Sequence, residues 1–359
     1  MPPPGGWQPP PSYGDGPGWQ QGPWQHPPGP PPPKGNGVKW LLGAVAVLLV
    51  IGITVGITVI VMNRGGDSGP SASTSGAPSD FASANDTGPV QIITDDPTCA
   101  TYININNRMA EVEANGWSGQ RGELGPASQW SVEQRMQTQA VSTAMRNAAD
   151  QVIPLSKQTP HRLMRELYSQ FIAYGRAYAD SLGSYSPADD GLATANVNFG
   201  SALASICNAV SYGSATRSVA APAPAPTQIA PAGESADPER LITSPDSTCT
   251  EWVKRSNKFT SDTAAWEALD AAVPASQWTP ERRAIEQSVQ PLMSTYADEL
   301  QLAGTRSGNP ILEDFAVAAA LYLRAYVNVG NTYRSADGWL SSAGFRITNA
   351  VSGACRAVV

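Results

Sequence analysis

Apolar positions recur along much of this chain at intervals of three and four residues, the spacing of one helix face. Val141, Met145 and Ala149 share such a face, and so do Val289, Met293 and Ala297. Trp252, Phe259, Trp266 and Leu269 mark a further helical stretch. No stretch of useful length alternates apolar and polar residues as a half-buried strand would. One run departs from the amphipathic pattern. Trp40 to Met62 is 23 residues without a charged side chain. A helix of that length spans roughly 35 Å, enough to cross the hydrocarbon core of a bilayer. The pattern predicts a transmembrane signal-anchor helix over 38–63, with the lipid bilayer as its partner through Trp40–Met62.

The amphipathic stretches come in two matching sets. Pro126-Ala-Ser-Gln-Trp130 recurs as Pro274-Ala-Ser-Gln-Trp278, an offset of 148 residues. At that offset Arg135 meets Arg283, Asp150 meets Asp298, and Tyr174-Gly-Arg-Ala-Tyr178 meets Tyr322-Leu-Arg-Ala-Tyr326. Tyr185 then meets Tyr333, Asp189 meets Asp337, and Cys207 meets Cys355. Upstream, Asp96-Pro-Thr-Cys99 resembles Asp246-Ser-Thr-Cys249. A single offset held over so long a stretch marks a tandem duplication.

Each copy reads as about four helices. The first follows the N-terminal cysteine, and it should be shorter or irregular in the first copy, where Asn104 to Gly125 is richer in Asn and Gly. The second starts after Ser131 or Thr279 as N-cap, with Pro280 at the first helical position, and runs to about Val152 or Leu302. The third follows Thr159-Pro160 or Asn309-Pro310. The fourth starts near Asp189 or Asp337 and ends at the second cysteine. The fold class expected is all-α, one transmembrane helix followed by two tandem helical bundles.

Composition divides the rest. Residues 1–37 are dominated by Pro and Gly and read as a disordered cytoplasmic tail. Residues 64–94 are a Gly/Ser/Ala/Pro-rich flexible spacer, 95–211 the first repeat, 212–243 a linker, and 244–359 the second repeat. The linker contains Ala221-Pro-Ala-Pro-Ala-Pro226, stiffer than Gly-Ser, so the two domains should be held apart.

All four cysteines follow the apolar run. In an up-down bundle the start of helix one and the end of helix four lie at the same end. Bridges Cys99–Cys207 and Cys249–Cys355 would close each unit in an oxidising compartment. Cross-repeat pairing would instead have to span the Ala-Pro linker. Lys34 and Lys39 precede the apolar run and Arg64 follows it, a basic bias that places the tail in the cytoplasm. The localisation expected is therefore the plasma membrane, single-pass, with both repeats extracytoplasmic. Gly52 and Gly56 form a GxxxG face on which a second helix could pack, hence a homodimer.

The net charge is −7, and after Arg64 there are 20 basic against 29 acidic residues. Nucleic acid is excluded as a partner, because no basic surplus is available to displace its counterions. Catalysis finds little to work with. His161 is the only histidine after the apolar run, and no Cys-x-x-Cys, phosphate loop or nucleophile elbow is present. The chain is expected not to be an enzyme, with no cofactor and no metal.

The candidate binding residues are those the two copies share. Trp130 and Trp278 either pack over the bundle end or anchor a ligand. Arg176 and Arg324, each flanked by tyrosines including Tyr178 and Tyr326, either pair with Asp150 and Asp298 to fix helix register or bind a carboxylate with two-point geometry.

The first 90 or so residues add a resemblance. Gly5-Gly-Trp-Gln-Pro9, the run Pro27 to Pro33 and the Lys-Gly-Asn-Gly-Val-Lys-Trp lead into the apolar run resemble uncharacterised proline-rich single-pass membrane proteins of mycobacteria and related actinobacteria. That resemblance implies a protein facing the cell envelope. The function expected is a membrane-anchored tandem binding module for an envelope protein, glycan or lipid. A scaffold or assembly subunit of a membrane or secretion complex is the second reading, and an envelope enzyme using acidic residues the third.

Overall fold

The computed structural model describes residues 80–358. The tail expected to be disordered, the bilayer contact expected through Trp40–Met62 and the dimer face expected at Gly52 and Gly56 lie outside the described residues. The single-pass plasma-membrane placement is corrected here, because no helix among the described residues is long and apolar enough to cross a membrane.

The first repeat contains α1 (Cys99–Ala114), the short α2 (Trp117–Gln120), α3 (Val132–Gln158), α4 (Arg162–Ser181), α5 (Asp190–Ser211) and the short α6 (Ser214–Arg217). The second contains α7 (Ser247–Asp262), the short α8 (Ala264–Glu267), α9 (Pro280–Arg306), α10 (Pro310–Val329) and α11 (Gly338–Arg356). Each copy thus has four long helices, and no strand occurs among the described residues.

The helix starts have local causes. Ser131 accepts the Gln134 N–H at 3.1 Å while the Gln134 side chain accepts the Ser131 N–H at 2.9 Å, a reciprocal cap that starts α3. Thr279 accepts the Arg282 N–H at 3.3 Å, and Pro280 opens α9. Asn309 accepts the N–H groups of Ile311 and Leu312 ahead of α10. Gly116, at φ 90°, ends the first long helix of copy one. That helix is no shorter than its counterpart: α1 and α7 both have 16 residues. The second helices run past the expected ends, to Gln158 and Arg306, carrying Pro154 and Pro291 inside them.

Each repeat is closed as the helix order predicts. Cys99 bonds Cys207 with Cα atoms 5.1 Å apart, and Cys249 bonds Cys355 at 5.2 Å.

The repeats are not held apart. A single hydrophobic core runs from one into the other. Its centre is an antiparallel pair formed by α5 and α11. Added Cβ atoms on Gly191 and Gly353 would lie 2.5 Å from the Ala357 nitrogen and 2.6 Å from the Ala195 nitrogen. Further along, the Ser205 and Ser342 hydroxyls are 2.9 Å apart. The partners descend in α11 as they ascend in α5, so the two helices meet as they would in a two-fold dimer. Replacing Gly353 by valine should force these backbones apart and cost about 1–3 kcal/mol. A urea titration checks this, and an unchanged midpoint would contradict the close approach.

A second exchange binds the copies. Tyr174 and Tyr322 occupy matched positions. The Tyr174 hydroxyl accepts the N–H of Ile242, in the segment leading into repeat two, at 3.2 Å. The Tyr322 hydroxyl accepts the N–H of Ile93, in the segment leading into repeat one, at 3.1 Å. Residues 80–94 of the expected spacer, and the linker, are therefore part of the body. Ser83, Val90 and Ile93 are buried, as are Leu241 and Ile242. Polar contacts also tack the linker down: Gln170 brackets it at Glu239 and Leu241, and Glu313 accepts from Thr227. Ala-Pro composition is a poor guide because the segment still carries N–H and carbonyl groups outside its prolines, and side chains of the two repeats satisfy them.

Candidate functional site

The pentapeptide shared by both copies forms a plug between the second helix and the turn that follows the third. The Ala127 N–H donates to the Tyr185 carbonyl at 3.0 Å, and the Ala275 N–H to the Tyr333 carbonyl at 2.9 Å. Arg135 donates to the Ala127 carbonyl at 2.7 Å and Arg283 to that of Ala275 at 2.8 Å. Trp130 and Trp278 are buried against the turn tyrosines, with ring centres 5.0 and 5.5 Å apart. Their indole N–H groups donate to the carbonyls of Gly125 and Val273. Asp189 and Asp337 accept the backbone N–H groups of Ser186 and Arg334, capping the turn. These matched residues hold one repeated turn in shape.

Tyr178 and Tyr326 are buried beneath that plug. Trp117 donates to the Tyr178 hydroxyl at 3.0 Å. In copy two Trp266 and Tyr326 both donate to Glu286, at 3.1 and 3.2 Å. Arg176 pairs with Asp150 and Arg324 with Asp298, each at 2.6 Å, between the second and third helices of its repeat. The aspartates are 67% and 72% exposed, so water screens these pairs. Alanine at both arginines should therefore cost no more than about 1–2 kcal/mol in all. Chemical denaturation reads this directly; loss of the folded state would mark the arginines as essential register pins.

Copy one also buries a carboxyl that copy two does not match. Glu113 lies within α1, and its Oε1 has no hydrogen-bond partner. Burial pushes its pKa up to about 7, against the opposing pull of the Arg121 guanidinium. The folded pKa exceeds the unfolded one, so the protein is destabilised as pH rises from about 4.5 towards 7. Glu113→Gln should match the parent near pH 4.5 and gain about 3 kcal/mol on it at pH 8. Equal pH profiles from thermal melts would show that the carboxyl stays ionised in the fold.

The most heavily charged buried site lies where the repeats meet, and the sequence reading missed it. Arg162, at the start of α4, grips Asp314 of α10 through Nε at 2.6 Å and Nη2 at 3.1 Å. Its remaining donors reach the carbonyls of Asp86 and Gly88 in the leading segment. Beside it Arg165 donates to Ser83 and lies over the Phe81 ring. Glu166 completes the cluster, 3.6 Å from Arg165 and within hydrogen-bond reach of the Asp314 carboxylate. Burial first, and the nearby Asp314 charge next, push its pKa well up. The signal was present in the sequence: Glu166 and Asp314 are matched at the 148-residue offset, an acid at the same place in the third long helix of each copy.

Among the described residues no cluster of His, Cys, Asp or Glu is arranged to hold a metal ion. What the arrangement does chemically is fasten elements together. Fold and site define a class: an all-α protein built as an intramolecular pseudo-dimer of two disulfide-closed repeats. The chain belongs to the family described as mycobacterial ESX-1 associated protein, which matches residues 81–359. It is 45% identical over 345 residues to an uncharacterized protein of Mycolicibacterium smegmatis (strain MKD8), covering 94% of this chain and 90% of that one. No solved structure matches it. The family match starts at residue 81, where the leading segment joins the body, well before the first cysteine.

Proposed function

We propose that this protein serves the ESX-1 secretion system as a non-catalytic assembly subunit, binding protein partners through the outer surface of one fused body. The observation that carries the reading is the family match across the whole described body. The geometry supports a binding role. Apart from the exposed Asp150 and Asp298, the shared residues described above are turned inward as plugs, caps and braces, so contact with partners falls mainly to surface positions where the copies differ. This reading replaces the expectation of tandem binding modules held apart by the linker, since the repeats share a core.

The test is genetic. Deleting the gene for the M. smegmatis relative should reduce export of ESX-1 substrates into the medium, and this full chain should restore it. Export by an unrelated pathway serves as the control. Undiminished ESX-1 export in the deletion strain would overturn the proposal.

A further inference from the structure

We propose that a cleft between the end of the first repeat and the α10–α11 turn of the second, bounded by Arg217, Val219, Asn328, Thr332 and Arg334, binds a carboxylate that stands next to a small apolar group. The cleft measures about 240 Å³. It forms where the segment leaving α6 crosses the turn between α10 and α11. The Asn328 amide donates to the Val219 carbonyl at 2.7 Å and fixes that crossing.

The charge balance favours an anion. Asp337 faces the cleft with both oxygens occupied: Oδ1 pairs with Arg217 at 2.7 Å and Oδ2 accepts the Arg334 N–H at 2.8 Å. The Arg334 guanidinium makes no ion pair among the described residues, and its side chain lies against the Asp337 backbone at the start of α11. Two guanidinium groups against one carboxylate leave the cleft one positive charge, in a chain whose net charge is −7. A guanidinium fork suits a planar carboxylate.

Comparison of the copies shows that folding does not need this cation. The same turn in repeat one carries Ser186 where repeat two has Arg334, and Asp180 where it has Asn328. Asp337 keeps its capping role in both copies, as Asp189 does. The turn is common to both, and the free cation belongs to one.

The remaining walls narrow the ligand. Val219, 72% exposed, and Val329 give an apolar surface for a short side chain. Thr332 spends its hydroxyl proton on the Val329 carbonyl, which leaves its oxygen to accept from an amide N–H. Carboxylate, small apolar group and N–H together describe the end of a peptide chain. A free branched short-chain acid shares the first two. This inference stands apart from the secretion reading.

The experiment is calorimetric titration of the full chain with N-acetyl-alanyl-valine, its C-terminal amide, and isobutyrate. The free dipeptide should bind saturably and the amide about tenfold or more weakly. Arg334→Ser should weaken the dipeptide by a similar factor while leaving the melting temperature unchanged, since serine is the residue of the matched turn. Isobutyrate binding as tightly as the dipeptide would support the cleft with a free acid as its ligand. Absence of saturable binding by either acid, an amide as good as the acid, or full affinity in Arg334→Ser would each overturn the proposal.

Discussion

Arg162→Met should lower the unfolding free energy by about 3–5 kcal/mol. The arginine is fully buried, and it holds Asp314 in two-point fashion while also satisfying two backbone carbonyls of the leading segment. Methionine fills similar space but leaves Asp314 as a buried charge with no cation gripping it, close to Glu166. Uncompensated charge, rather than lost packing, dominates the expected cost. A further measurement separates these causes. The double variant Arg162→Met/Asp314→Leu should recover much of the lost stability, because neither ion is then buried alone. A double variant as unstable as the single one would place the cost in the contacts with Asp86 and Gly88 instead.

Removing either disulfide should cost about 2–5 kcal/mol. The two loops are nearly equal, with sequence separations of 108 and 106 residues, so the two costs should be alike. The more informative readout is the shape of the transition. If the repeats were separate domains, Cys99→Ser/Cys207→Ser would shift one of two unfolding steps and leave the other in place. With one core, a single transition should move as a whole whichever bridge is cut. Calorimetry distinguishes the two, and a biphasic trace would contradict the shared core.

Much of this architecture is legible in the sequence, and the reasons are local. The caps at Ser131 and Thr279 and the cysteine positions fix helix starts, ends and closure within each copy. The 148-residue offset also identifies Trp130, Arg135 and Tyr185 and their partners as one constellation. Its meaning needed coordinates, since only the bond from Arg135 to the Ala127 carbonyl shows why an arginine recurs there. The association of the copies was not legible. Gly191, Gly353 and Ala195 allow a close helix approach, but small residues on a face do not name the helix that fills it. Nor does composition reveal that a Pro-rich segment is tied down, because those ties come from Gln170, Tyr174 and Glu313, far away in sequence.

The reciprocal tyrosine contacts have a consequence for how the protein behaves in the cell. A dimer of separate chains weakens as it is diluted, because its stability depends on protomer concentration. Here the second protomer is supplied by the same polypeptide, and the linker fixes its effective concentration. The body should therefore remain assembled at any copy number, down to a single molecule. Covalent linkage also frees the halves to diverge. Arg334 sits opposite no second arginine, and Glu113 has no buried twin, an asymmetry that a homodimer of identical chains could not hold.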